Sequence, residues 1–247
     1  MRLRKNKRAK IWWLLTCLLF PVLVFGQQET IIVEEDIVPS AQEGYALWQK
    51  PINSMVFARL PDTPEGLAVD SGGNLYASLF NTGQIVQIRE DGNFDHVAWV
   101  PSEAERGQGH VLGLAVDGED ALYVAYKARS KYDRIGDPRH PACRDATDVT
   151  SGVYKIETRS HEVIPVATRG DGWPFCFPDD VDVDAQGNIY MADLTYAGIW
   201  KIQKDGEVVL WSDHPLLHWS TTPYSGFPLG VNVLELDASE QNLYAAT

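Results

Sequence analysis

Cysteine is scarce in this chain, with three in 247 residues. Cys17 lies in an apolar N-terminal run, which leaves Cys143 and Cys176 for the body of the protein. A dense disulfide scaffold is therefore excluded, while one bridge or two separate thiols stay open. No apolar run reaches the about 20 residues needed to cross a bilayer as a helix. No stretch keeps helical periodicity over three turns, so a helical bundle is excluded too. A Gly-rich phosphate loop and a Gly-x-Ser-x-Gly elbow are both absent, and with them the common nucleotide-binding and serine-hydrolase signatures. Basic residues are few, 21 against 34 acidic ones, for a net charge of −13. Such a surface repels nucleic acid and anionic membranes and is compatible with divalent cations.

The basic residues that exist are unevenly placed. Arg2, Arg4, Lys5, Lys7, Arg8 and Lys10 precede a charge-free run from Ile11 to Phe25, and Gly26 supplies a small residue after it. This is the layout of a secretory signal peptide over residues 1–26, with a secreted or periplasmic destination. Its removal would take away six basic side chains and no acid, leaving 15 basic against 34 acidic residues. Residues 27–44 are acidic and polar and read as a linker, and residues 45–247 as the folded domain.

The folded part repeats one phrase. Glu65-Gly-Leu-Ala-Val-Asp70 leads to Asn-Leu-Tyr76, and Leu112-Gly-Leu-Ala-Val-Asp117 leads to Ala-Leu-Tyr123. Asp179-Asp-Val-Asp-Val-Asp184 leads to Asn-Ile-Tyr190, and Asn232-Val-Leu-Glu-Leu-Asp237 leads to Asn-Leu-Tyr244. Each copy opens a group of four short β-type runs separated by turns such as Asp91-Gly92 and Asp205-Gly206. Repeated four-stranded antiparallel units are propeller blades. The fold class expected is all-β, with three blades and a fragment before Thr247. Ser54–Arg59 has the texture of an outermost strand and is expected to help close the ring. The intervals between turn aspartates are 47, 67 and 53 residues, and the longest holds a polar insertion over residues 129–150.

Five residues before each turn aspartate the repeat reads Glu65, Leu112, Asp179 and Asn232. This position opens the innermost strand, so residues far apart in sequence converge at one channel mouth. Glu65, Asp179 and Asn232 are hard oxygen donors, the type that Ca²⁺ and similar ions prefer. Capping of strand starts by their own side chains is the competing account. The turn aspartates themselves read as turn formers. His110 precedes the second unit and is the candidate base. His140, Cys143 and His161 match no zinc spacing, and Pro215 between His214 and His218 argues against a helical ligand pair. Trp173–Pro178 is an apolar stretch leading into Asp179, either a pocket lip or a packed loop.

Pro64–Asp70, Phe177–Asp184 and Gly230–Asp237 resemble the gluconolactonase/regucalcin-like (senescence-marker-protein) family, over about residues 55–247. The resemblance implies a six-bladed β-propeller, and hence a chain that stops after about three and a half blades. It implies a divalent ion, Ca²⁺ first, held by Glu65, by Asp179 and Asp180 of the third unit, and by Asn232. Val233 departs from the family's usual glycine, and a later Asp, the usual general base, would fall beyond Thr247. The function implied is hydrolysis of a lactone or sugar-like small molecule, with the ion as Lewis acid. A non-catalytic binding propeller is the alternative, favoured by Leu112 and Val233. A metal-free propeller enzyme of the strictosidine-synthase type is a third, opposed by Glu65 and Asn232.

Overall fold

The computed structural model describes residues 23–26 and 31–33 as strand backbone, and residues 56–128, 150–218 and 230–247 in full. Two strands, β1 (Leu23–Gly26) and β2 (Ile31–Val33), stand at the N-terminus. The first blade follows as β3 (Pro64–Val69), β4 (Leu75–Leu79), β5 (Gln84–Ile88) and β6 (Phe94–Trp99). The second is β7 (Gly109–Val116), β8 (Leu122–Ala128), β9 (Gly152–Ile156) and β10 (Val163–Ala167). A two-residue ladder, β11 (Arg169–Gly170) with β12 (Trp173–Pro174), leads into the third blade. That blade is β13 (Pro178–Val183), β14 (Ile189–Asp193), β15 (Gly198–Ile202) and β16 (Val208–Ser212). The chain ends with β17 (Val233–Leu236) and β18 (Asn242–Ala246).

The first three blades are antiparallel meanders in sequence order, as the repeats predict. The fourth sheet runs β17-β18-β1-β2. Its register sets Leu23 opposite Ala245 and Gly26 opposite Asn242. The ends of the expected leader and part of the expected linker thus stand as strands. An unpaired edge of β18 offers a row of N–H and C=O groups, and the β-prone Leu23-Val-Phe25 run satisfies it. Ring closure by an N-terminal segment is expected from the sequence, but from Ser54–Arg59, whose described part, residues 56–59, is not a strand. Ala58 and Leu60 instead pack on the outer face of the first blade with Leu79, Val86 and Ile88.

The turn aspartates explain why each repeat folds alike. Asp70 Oδ1 accepts the backbone N–H groups of Gly72 (2.9 Å) and Asn74 (2.8 Å), and Oδ2 accepts the Asn74 side chain (2.7 Å) and the Tyr76 hydroxyl (3.1 Å). Asp184 does the same with Gln186, Asn188 and Tyr190. Asp117 likewise receives Glu119, Ala121 and the Tyr123 hydroxyl. One carboxylate closes the hairpin turn and anchors the Tyr that follows, the turn-forming role read from the sequence. Beside these aspartates both Tyr76 and Tyr123 are held up at about 12, by burial first and by the neighbouring carboxylate.

Apolar clusters fill the seams between blades. Val111, Leu114, Leu122 and Tyr126 meet Tyr76 and Ile85 between the first and second. Leu112, Ala125 and Val153 meet Val181, Met191 and Trp200 between the second and third. Tyr190 and Ile199 meet Leu234 and Leu243 between the third and fourth. The inner strands approach closely enough to demand glycine: a Cβ on Gly66 would lie 2.6 Å from the carbonyl oxygen of Leu112. Ser78 ties that seam, accepting the Gly66 N–H (2.7 Å) and donating to the Leu112 carbonyl (2.6 Å).

Candidate functional site

The four inner strands β3, β7, β13 and β17 line an open cavity of about 360 Å³. Glu65 enters it from the start of β3, Asp179 from the start of β13, and Asn232 from the residue just before β17. Leu112, the repeat-equivalent residue of β7, is 3% exposed and packs into the seam with the third blade. The register inferred from the repeats therefore brings the three oxygen donors to one cavity and turns the leucine away.

Asp179 is 6% exposed, and one of its oxygens accepts the side-chain N–H of Asn232 at 2.7 Å. Burial, with Asp180, Glu65 and Asp193 nearby, pushes its carboxyl up to about 8. Lost hydration raises Glu65 as well. Among the described residues no cation pairs with either carboxylate, and Glu65 has no hydrogen-bond partner. Acidic groups crowded without a counter-ion are destabilised in their charged form, the electrostatic state a divalent cation would relieve. The donor set of two carboxylates and one amide oxygen suits a hard ion completed by water. Among the described residues no group of three or more His, Cys, Asp or Glu is arranged to hold a metal.

Asp180 is differently placed. One oxygen accepts the N–H of Val181 (2.9 Å) and the other the N–H of Leu234 (2.8 Å), across the seam in β17. Asp182 repeats the contact with Leu236 (2.6 Å) and Val183 (2.8 Å). Burial raises both, Asp180 to about 7, and the accepted N–H groups oppose the rise. These two residues are struts between blades. Sequence reasoning could have found them in the alternation of Asp180 and Asp182, which points both to one side of β13.

His110 lies on β7 and not in a loop. Its ring stacks on Phe80 with centroids 4.2 Å apart, its Nδ1 stands 3.3 Å from the Phe80 carbonyl oxygen, and it is not among the residues lining the cavity. Asp193, at the end of β14, is fully enclosed and accepts the N–H groups of Cys176 (2.7 Å), Phe177 (2.9 Å) and Tyr196 (2.9 Å). It anchors the Trp173–Pro178 stretch, of which Phe175 packs with Trp200. Cys176 is disulfide-bonded, and its expected partner Cys143 lies outside the described residues.

No family model matches the sequence, and no curated protein matches it. Solved structures do. A gluconolactonase from Xanthomonas campestris superposes with a TM-score of 0.50 at 16% identity, over 74% of this chain and 53% of that one. The fold is a β-propeller. A protein of unknown function from Bacteroides thetaiotaomicron gives 0.50 at 13% identity, over 76% of this propeller and 43% of its own length. A streptogramin B lyase gives 0.49 at 15% identity, over 76% and 50%. The propeller described here spans about half the length of these structures.

Proposed function

We propose that this propeller belongs with the gluconolactonase-like proteins and is a secreted, metal-dependent hydrolase of the lactonase type. The observation that carries the reading is the meeting of Glu65, Asp179 and Asn232 in one cavity, with Asp179 shifted to about 8. The ion, Ca²⁺ first among candidates, would be held by the carboxylates of Glu65 and Asp179 and the amide oxygen of Asn232. When bound, it would supply Lewis acidity toward a lactone carbonyl.

The chain's own residues divide the remaining work. The Asn232 N–H fixes the orientation of the Asp179 carboxylate. Asp180 and Asp182 hold β17, and with it Asn232, at a set distance from β13. Burial and the neighbouring carboxylates raise Asp179 to about 8, so entry of positive charge would favour loss of its proton. Asp180 is left out of the ligand set because both of its oxygens already serve backbone N–H groups. His110, stacked on Phe80, receives no catalytic role.

Calorimetry with Ca²⁺, Mn²⁺ and Zn²⁺ on the full chain tests the site, and pH-stat assay of lactone opening tests the reaction. Binding is expected with at least one ion, and Glu65→Gln should weaken it at least about tenfold, a loss of about 1.4 kcal/mol. Absence of binding, or binding indifferent to Glu65→Gln, would overturn the metal reading. A non-catalytic binding propeller is the second reading, favoured by the third ligand being an amide whose N–H is committed to Asp179; it predicts ion binding without turnover.

A further inference from the structure

Of Glu65, Asp179 and Asn232, two sit in β-bulges. On β3 the ladder with β4 pairs Pro64 with Leu79 and then Leu67 with Ala77, so Glu65 and Gly66 together stand opposite Ser78. On β13 the ladder with β14 pairs Pro178 with Asp193 and then Asp180 with Ala192, so Asp179 is the extra residue. β7 has the same irregularity at Leu112 and Gly113, opposite Ala125. A bulge breaks the alternation of a strand and re-aims a side chain, and it leaves backbone groups outside the ladder. Such groups are costly to bury unless they find another partner.

The first blade supplies that partner from a side chain. Ser78 is fully enclosed, and its hydroxyl accepts the Gly66 N–H at 2.7 Å while donating to the Leu112 carbonyl at 2.6 Å. One hydroxyl thus links the bulge of β3 to the bulge of β7. The other repeats have no hydroxyl here: Tyr-Ala-Ser78 of the first reads Tyr-Val-Ala125, Tyr-Met-Ala192 and Tyr-Ala-Ala246 in the rest. The blade with the serine is the one whose bulge carries Glu65, and Glu65 is the residue with the least support of its own. Asp179 and Asn232 hold each other at 2.7 Å, and the Asn232 backbone N–H donates to the Ala246 carbonyl at 2.8 Å. Glu65 has no hydrogen-bond partner among the described residues, so the backbone of its bulge is what aims it.

Resting on the ion-site reading above, we propose that Ser78 is the positioning residue for Glu65. The Gly66 N–H belongs to the peptide group that follows the Glu65 Cα. Holding it fixes the Glu65 backbone, and with it the direction in which that side chain leaves β3. The bond to the Leu112 carbonyl fixes how far β3 stands from β7. Ser78 itself does not line the cavity and acts only through Glu65. With alanine there, the Gly66 N–H and the Leu112 carbonyl would both lose this partner, and the bulge would be free to relax toward regular pairing.

The test is calorimetric titration of the full chain with Ca²⁺, Mn²⁺ and Zn²⁺, comparing the parent with Ser78→Ala, Ser78→Cys and Leu122→Val. Ser78→Ala should weaken binding of the ion by about tenfold or more. Ser78→Cys, close in size and keeping a weak donor, should lose less, about threefold, and it carries the comparison should Ser78→Ala fail to fold. Leu122→Val loosens the same seam away from the bulge; it should lower the thermal midpoint while changing ion affinity less than about twofold. In a Glu65→Ala background, where there is no side chain left to aim, Ser78→Ala should cost less than about twofold more. Three outcomes overturn this inference and leave the ion site standing. They are parent-like binding by the Ser78 variants, a loss that Leu122→Val reproduces, and a loss that persists undiminished in Glu65→Ala. Absence of ion binding in the parent, or binding indifferent to Glu65→Ala, overturns both.

Discussion

Asn232 donates its side-chain amide to Asp179 across 2.7 Å, joining the same repeat position of two blades 53 residues apart in sequence. The bond orients a carboxylate that burial raises to about 8. It also leaves the Asn232 amide oxygen as that residue's remaining polar atom for a ligand.

Asn232→Asp should replace this donor with a second carboxylate. Without divalent ions the variant should be less stable than the parent by about 1–3 kcal/mol, through repulsion and loss of the hydrogen bond. With Ca²⁺ present much of that loss should be recovered. Thermal unfolding in chelator and in Ca²⁺ measures both; an ion-independent midpoint in the variant would argue against a cation between these residues.

Ion-free stability should fall with rising pH. Asp179 and Asp180 hold protons in the folded state up to about 8 and about 7, against an ordinary carboxylate value of 3.8 in the unfolded chain. Between those limits the folded state binds more protons than the unfolded state, so their contribution is full below pH about 4 and lost by pH about 8. Asp179→Asn should flatten the decline and raise the midpoint at pH 8. Denaturant titrations in chelator from pH 5 to pH 8 would show it, and a decline unchanged in the variant would contradict the assignment.

Gly113→Ala should be severely destabilising, by about 3 kcal/mol or more. The added Cβ would overlap the Asp180 carboxylate and lie 2.6 Å from the Asp180 Cα. Because the second clash is with backbone, combining it with Asp180→Ala should not restore stability. Chemical denaturation of the single and double variants decides this.

Asp120 clamps the first two blades, accepting the Ser71 N–H and hydroxyl at 2.8 Å each, from a backbone with φ of 64°. Glu240, at φ of 54°, receives the Ala185 N–H at the same place between the third and fourth blades. Asp120→Ala should cost about 1–2 kcal/mol, combining the lost hydrogen bonds with a left-handed backbone that alanine disfavours. Asp120→Asn should cost less, since asparagine tolerates that backbone and keeps one acceptor. Equal losses in the two variants would place the effect elsewhere.

Much of this was readable in the chain because its determinants are local. The β4 and β18 boundaries follow from β-prone runs between Asp, Asn and Gly, and the turn role of Asp70 and Asp184 follows from the Asn and Tyr four and six residues on. Convergence of Glu65, Asp179 and Asn232 was legible because a fixed position in a repeated blade recurs at a fixed radius. The pairing of Leu23–Gly26 with β18 was not, since a strand edge accepts any suitable run, and the sequence does not say which segment arrives there.

The sequence alone therefore determined the all-β blades, their turns and the register that brings Glu65, Asp179 and Asn232 to one cavity. Only the tertiary structure decided that Asp179 faces the cavity beside Asn232 while Asp180 braces β17 and His110 stacks on Phe80. Those assignments depend on which neighbour stands within hydrogen-bonding distance across a seam. Strand alternation places a side chain on a face, and only the packed neighbouring blade determines what it meets there.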